Sequence, residues 1–193
     1  GELIAKAGGF VSANIHAPFS GTITKIDTTV DAWGMKMPAI FMDVEGDEWL
    51  ETIDQSTTLV KETCHLEPKA IIEKVQEAGI VGLGGACFPT HVKLMPPPGK
   101  VAEVLIVNGV ECEPYLTCDH QLMLEKGEEI IVGIQLLMRA LNIQKAIIGI
   151  EANKPDAIKH MTALASKVLG IEVKALKLKY PQGGEKQLID ACI

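Results

Sequence analysis

The chain has 193 residues and a net charge of -7, with 47% hydrophobic and only 4% aromatic residues. That length buries one good core, or one core with a small satellite, and an acidic balance with no basic block excludes a binder of nucleic acid or of anionic membrane surfaces. The longest apolar stretch, Ile130 to Leu141, is interrupted by Gln135 and Arg139 and is shorter than the roughly 20 residues that cross a bilayer.

Nothing at the start reads as a charged-then-apolar leader, so the expected location is cytosolic with no direct membrane span. Residues 1 to 57 read as short strands: Glu2 to Ala7, Ala13 to Pro18, Gly21 to Asp27 and Ala39 to Val44, separated by Gly, Pro, Ser or Asp. Met35-Lys36-Met37 has the form that presents a biotinylated lysine. The run Ala17-Pro18-Phe19-Ser20-Gly21-Thr22, however, resembles the second-half strand of biotinyl/lipoyl domains. Aligned on that strand, the carrier position falls in the turn Ala7-Gly8-Gly9-Phe10, at Gly9. Lys36 therefore reads as an ordinary exposed lysine, and residues 1–57 as a partial β hammerhead without an attachment lysine.

From residue 58 to 193 an α/β domain is expected. Pro68 stands at a first helical position, Ile71, Ile72 and Val75 give a helical stripe, and Gly79 ends it. The run Gly82-Leu-Gly84-Gly85-Ala-Cys87 follows a helix instead of a strand and has Cys87 where the dinucleotide fingerprint needs a third glycine, so that fingerprint is absent. Bare glycines still permit close backbone approach to a flat ring or a phosphate, and Lys93 lies a few residues on. Three strand–helix units come next. Strand one is Val101 to Val107, followed by one long helix from about His120 to Leu141. Strand two is Lys145 to Ile150, with a helix from Lys154 to Leu169. Strand three is Ile171 to Lys179, and a last helix opens at Glu185. Continuous apolar strands alternating with helices predict a Rossmann-like parallel sheet with flanking helices.

Ligands of open α/β sheets bind at the carboxyl ends of the strands. Here those ends are Asn108-Gly-Val-Glu111-Cys-Glu113, Glu151-Ala-Asn153 and Tyr180-Pro-Gln-Gly183-Gly-Glu185. Each carries a glutamate; singly, any of them reads as an exposed loop carboxylate, and their convergence on one edge is what points to function. Glu151 fits equally a cap for the helix that Asn153 and Pro155 open. His91 and His120 read as surface or packing residues. Five cysteines without a Cys-x-x-Cys pair predict free, mostly buried thiols and no iron–sulfur cluster held within the chain.

Four ordered motifs together resemble one family: Gly82 to Lys93, Asn108 to Asp119, Gly149 to Pro155 and Tyr180 to Leu188. They are similar to the C subunit of Rnf electron-transport complexes, itself similar to the NADH-binding flavoprotein of respiratory complex I, and the stretch His16 to Thr22 agrees with the hammerhead that family carries in front. The resemblance implies an FMN that exchanges hydride with NAD(H), and 4Fe-4S clusters further along, outside this chain. It implies other subunits of a membrane-bound ion-translocating complex as partners, ferredoxin as an indirect electron partner, and a peripheral place on the cytoplasmic face of the inner membrane. By motif, Gly82, Gly84, Gly85 and Lys93 would meet the flavin phosphate region or the nucleotide, and Asn108 the flavin. Glu111 and Glu113 would line the flavin and nicotinamide side, and Tyr180, Gly183 and Glu185 the other wall, with Glu185 the favoured nicotinamide contact. Relative to the complex I pattern, Val110 replaces an acidic residue, Gly184 replaces the first of two adjacent glutamates, and Cys87 replaces a glycine. The competing reading is a cofactor-free scaffold resembling the A subunit of sodium-pumping NADH:quinone reductases.

Overall fold

The computed structural model describes residues 1–59 and 63–193. They form two compact units, one of Gly1–Thr58 with Val75–Thr90 and the other of Leu59–Lys74 with His91–Ile193.

The first unit is β-rich. Strands β1 (Leu3–Ala5) and β2 (Ile15–His16) pair antiparallel, as do β3 (Gly21–Val30) and β4 (Lys36–Val44). The last pair runs longer than expected, because Thr28, Thr29 and Val30 find partners in Pro38, Met37 and Lys36. Lys36 is exposed at the start of β4. Helix α1 (Pro68–Glu77) has Pro68 at its first position, where a missing N–H costs nothing. Its end is anchored within the first unit: Asn14 Nδ2 donates to the Glu77 carbonyl at 3.1 Å, and Gly79 follows with φ +66°. A Cβ at Gly79 would collide with the Asn14 carbonyl, so this turn needs glycine. The glycine-rich loop is then pinned at its base by the Gly82 amide donating to the Phe88 carbonyl at 2.9 Å and by a bridge between Val81 and Pro89.

The second unit carries a three-stranded parallel sheet, β5 (Leu105–Gly109), β6 (Ala146–Glu151) and β7 (Ile171–Leu176), in the order β5-β6-β7. Before it lies the short α2 (Thr90–Lys93). The central β6 is buried along its whole length. Side chains alternate across a strand, and here alternation divides two cores. Ala146, Ile148 and Ile150 pack with α3 (Cys118–Glu125), α4 (Gly127–Leu141) and α5 (Pro155–Ala165) through Met123, Ile131, Ile134, Met138 and Met161. Ile147 faces the other way, toward Leu176 and toward Leu188 and Cys192 of α6 (Glu185–Cys192). Ile148 is only 1% exposed, so truncating it to Ala would cost roughly 2–5 kcal/mol.

Some expectations need correction. Strand one starts at Leu105 and runs on to Gly109, and strand three stops at Leu176. The single helix from His120 to Leu141 is two, broken at Lys126 (φ -126°), the cap shared by α3 and α4. Gly127, just after the break, lies so close to α5 that a Cβ would stand 2.6 Å from Leu164 Cδ1 and 2.8 Å from His160 Nε2. The thiols are free but not mostly buried: only Cys192 is, Cys64 and Cys112 are half-buried, and Cys87 and Cys118 are exposed. No helix among the described residues is long and apolar enough to cross a membrane.

Candidate functional site at the strand ends

The parallel register fixes the site. Asn108 pairs with Gly149, Gly109 with Ile150, and Glu151 with Leu176, so β5, β6 and β7 end at one level and their following loops share one edge. Asn108 Nδ2 donates to the Gly183 carbonyl at 3.0 Å, and its Oδ1 accepts from the Val110 amide at 3.1 Å. Gly183 sits tightly on the end of β5; a Cβ there would be 3.3 Å from the Val110 carbonyl and 3.4 Å from Cys112 Sγ. Thus Asn108, Gly183 and the Val110–Cys112 backbone are brought together.

Glu111 is buried, and its carboxylate caps α3. One oxygen accepts from the Asp119 amide at 2.7 Å and the other from the His120 amide at 3.2 Å, satisfying two donors that a helix start leaves unpaired. The Cys118 thiol also donates to it at 3.4 Å, and that bond, ahead of desolvation, pushes the thiol pKa up. Desolvation, and then Glu111 itself, hold the Asp119 carboxyl above its ordinary range, while Lys154 opposes them. His120 Nε2 meets Asp156 at 2.9 Å, and this bond lowers the Asp156 pKa.

Glu111 and Glu113 both line a cavity of about 300 Å³, together with Tyr115, His120, Asn153 and Lys154. Glu113, Tyr180 and Glu185 are exposed, Glu185 at the first position of α6 and Tyr180 before a cis Pro181. Gly82, Gly84 and Gly85 belong to the first unit. Gly84 and Gly85 have nothing within 4 Å of a would-be Cβ, and Gly85 takes φ +110°. Cys87 in the same loop is exposed with φ +48°. Lys93 is the exposed last residue of α2, in the second unit.

Two buried polar side chains here, Lys154 and Gln182, escaped sequence reasoning. Lys154 places Nζ 3.0 Å from Glu151 Oε2 and 3.9 Å from Glu111 Oε2. Glu151 is therefore a fully buried ion-pair partner, and α5 has no side-chain cap. Gln182 is 1% exposed, with neither side-chain polar atom bonded among the described residues. His91 is buried with Nε2 likewise unpartnered. The signal for Lys154 was its place three residues after Glu151 and just before Pro155; nothing in the sequence marked Gln182 as buried, whereas burial of His91 agrees with its reading as a packing residue.

A parallel sheet with helices on both faces and polar loops gathered at its carboxyl edge defines an α/β, Rossmann-like domain, the class whose ligands bind at that edge. Residues 75–193 match the family model for the Nuo51 FMN-binding domain, and residues 1–47 match that for the RnfC barrel sandwich hybrid domain. The chain belongs to the Nuo51 FMN-binding domain family, with an RnfC-type segment before it. Among curated relatives, it is 47% identical to the C subunit of the proton-translocating ferredoxin:NAD(+) oxidoreductase complex of Clostridium ljungdahlii, over 98% of this chain and 41% of that protein. It is 41% identical to the C subunit of the Na(+)-translocating complex of Acetobacterium woodii, over 99% of this chain and 42% of that protein. The chain thus spans less than half the length of these relatives. Among solved structures, an NAD+-reducing [NiFe]-hydrogenase in the air-oxidized state is similar with a TM-score of 0.55 and 29% identity, over 64% of this chain and 23% of that one.

Proposed function

We propose that this chain is the FMN- and nicotinamide-binding module of an ion-translocating ferredoxin:NAD oxidoreductase. In this reading residues 1–57 are a partial hammerhead and 58–193 carry the cofactor domain. The observation that carries it is the joining of Asn108 to Gly183 beside a cavity lined by Glu111 and Glu113, at the edge where α/β sheets hold cofactors. The residues fit a flavin. Asn108 uses one amide hydrogen on Gly183 and keeps another, and the buried Gln182 offers a donor and an acceptor without partners among the described residues. A heterocycle edged by both donors and acceptors suits such groups.

When bound, FMN would supply the exchange of a hydride with the nicotinamide and of single electrons with iron–sulfur clusters. The protein's part is to bind and align. Asn108 meets the flavin edge, and Gly82, Gly84, Gly85 and Lys93 are assigned the phosphate region. Glu111 and Glu113 line one side of the cleft. Tyr180, Gly183 and Glu185 form the other, with Glu185 accepting hydrogen bonds from the ribose or carboxamide of NAD(H). Other subunits of a membrane-bound complex are the partners, with 4Fe-4S clusters lying elsewhere in the full-length protein and ferredoxin reached indirectly. They hold the module at the cytoplasmic face. Titrating FMN into the flavin-free full-length protein tests this. Saturable quenching of flavin fluorescence at one site per chain supports it, and no binding would assign the fold to a cofactor-free scaffold.

A further inference from the structure

At the carboxyl end of β6 three charged side chains are withdrawn from water: Glu151 is 0% exposed, and the side chains of Lys154 and Glu111 are 8% and 2% exposed. Lys154 Nζ stands between the two carboxylates, 3.0 Å from Glu151 and 3.9 Å from Glu111. We propose that Lys154 is a positioning residue for the strand-end cleft, a buried ammonium that neutralises Glu151 and Glu111 and thereby holds the cleft wall. This rests on the FMN reading for its functional consequence, though not for its electrostatics.

The chain of contacts runs outward from the lysine. Glu111 uses both oxygens on the first amides of α3, and the connection from Glu111 to Thr117 forms one wall of the cavity. The groups facing the ammonium are Glu151 from the end of β6, Glu111 from the loop after β5, and Asp119 from the first turn of α3, beside Cys118. His120, in the same turn of α3, is paired with Asp156. Two buried carboxylates sharing one cation carry an excess negative charge. Removing the cation leaves two, and a buried uncompensated carboxylate takes up a proton instead of staying ionised.

The sign of the consequence follows. In Lys154→Met, which keeps most of the side-chain volume, one carboxyl acquires a folded-state pKa above its unfolded value. The variant is then close to normal in mild acid and loses stability as pH rises. Glu151→Gln in the same chain removes one of the two charges and restores it.

The test uses the full-length protein with Lys154→Met, Glu151→Gln/Lys154→Met and wild type. Melting temperature without flavin and FMN dissociation constant are each followed from about pH 5 to about pH 8. For Lys154→Met the melting temperature is expected to fall by roughly 10 °C across that range relative to wild type, and FMN to bind roughly ten-fold more weakly at the alkaline end only. The double variant should follow wild type in both. If Lys154→Met is insoluble, recovery of fold and FMN binding in the double variant supports the proposal. A loss that does not depend on pH, or that Glu151→Gln fails to restore, overturns it and leaves Lys154 as packing. Failure of wild type to bind FMN would remove the FMN reading, while the flavin-free melting profiles would still decide the role of Lys154.

Discussion

The Asn108 amide ties the end of β5 to the loop that opens α6, donating to the Gly183 carbonyl at 3.0 Å while its oxygen accepts from the Val110 amide at 3.1 Å. One short side chain must be donor and acceptor at once, which asparagine alone does at this length. Asn108→Ala removes both bonds and is expected to cost about 1–2 kcal/mol. Asn108→Asp turns a second acceptor toward the Gly183 carbonyl and should cost no less. Denaturant midpoints of the two variants check this; midpoints equal to wild type would show that solvent replaces both bonds.

The glycines divide into those the fold needs and those it does not. A Cβ at Gly170, which takes φ +83°, would collide with the Gln144 carbonyl, whereas one at Gly84 would meet nothing within 4 Å. Gly170→Ala should therefore lower the melting temperature. Gly84→Ala should leave it unchanged and weaken FMN binding, because only a ligand would feel the added methyl. Calorimetry beside flavin titration separates them, and unaltered FMN affinity in Gly84→Ala would remove that glycine from the cofactor.

Asp119 gives a pH prediction. Its carboxyl is held above the ordinary range by desolvation and then by Glu111, so the folded state binds that proton more tightly than the unfolded chain. The associated stability is complete below the unfolded pKa and is lost as pH rises through the folded one. Asparagine imitates the protonated form. Asp119→Asn is expected to melt above wild type at neutral pH, by a small margin because the group is partly solvated, with the gap closing as pH falls to about 4. A lower melting temperature for the variant at neutral pH would reverse the assigned sign.

How far the sequence carried these conclusions depended on how local the physics was. Pro68, Pro155 and Glu185 mark helix starts that the structure reproduces, since an N-terminal position needs no remote partner to be recognised. The β6 strand was legible from its continuous apolar run. The break at Lys126 was missed although the polar run Glu125-Lys126-Gly127-Glu128-Glu129 interrupts the apolar pattern there, and the close approach of α5 to Gly127 is visible only in the fold. Strand-end convergence was legible from alternation alone. The Lys154 cluster was hidden, because it needs the register that sets Gly109 beside Ile150 and so brings the loop after β5 over Glu151.

Glu185 offers a functional contrast. It is exposed at the first position of α6, whose cap Gly184 supplies no side chain. Glu185→Gln keeps size while turning part of an acceptor into a donor. Nicotinamide affinity is expected to fall several-fold, for the loss of about 1 kcal/mol, with flavin retention nearly unchanged. A lowered melting temperature with unaltered NADH-driven flavin reduction would assign Glu185 to the helix start through its dipole.

The function proposed for this domain is to hold a flavin where a nicotinamide can reach it. Anaerobic addition of NADH to the FMN-loaded full-length protein, followed by flavin absorbance in the visible, tests that most directly. Rapid, saturable bleaching that needs NADH and is slowed in Glu185→Gln is the expected result. A bound flavin that strong chemical reductant bleaches but NADH does not would contradict it.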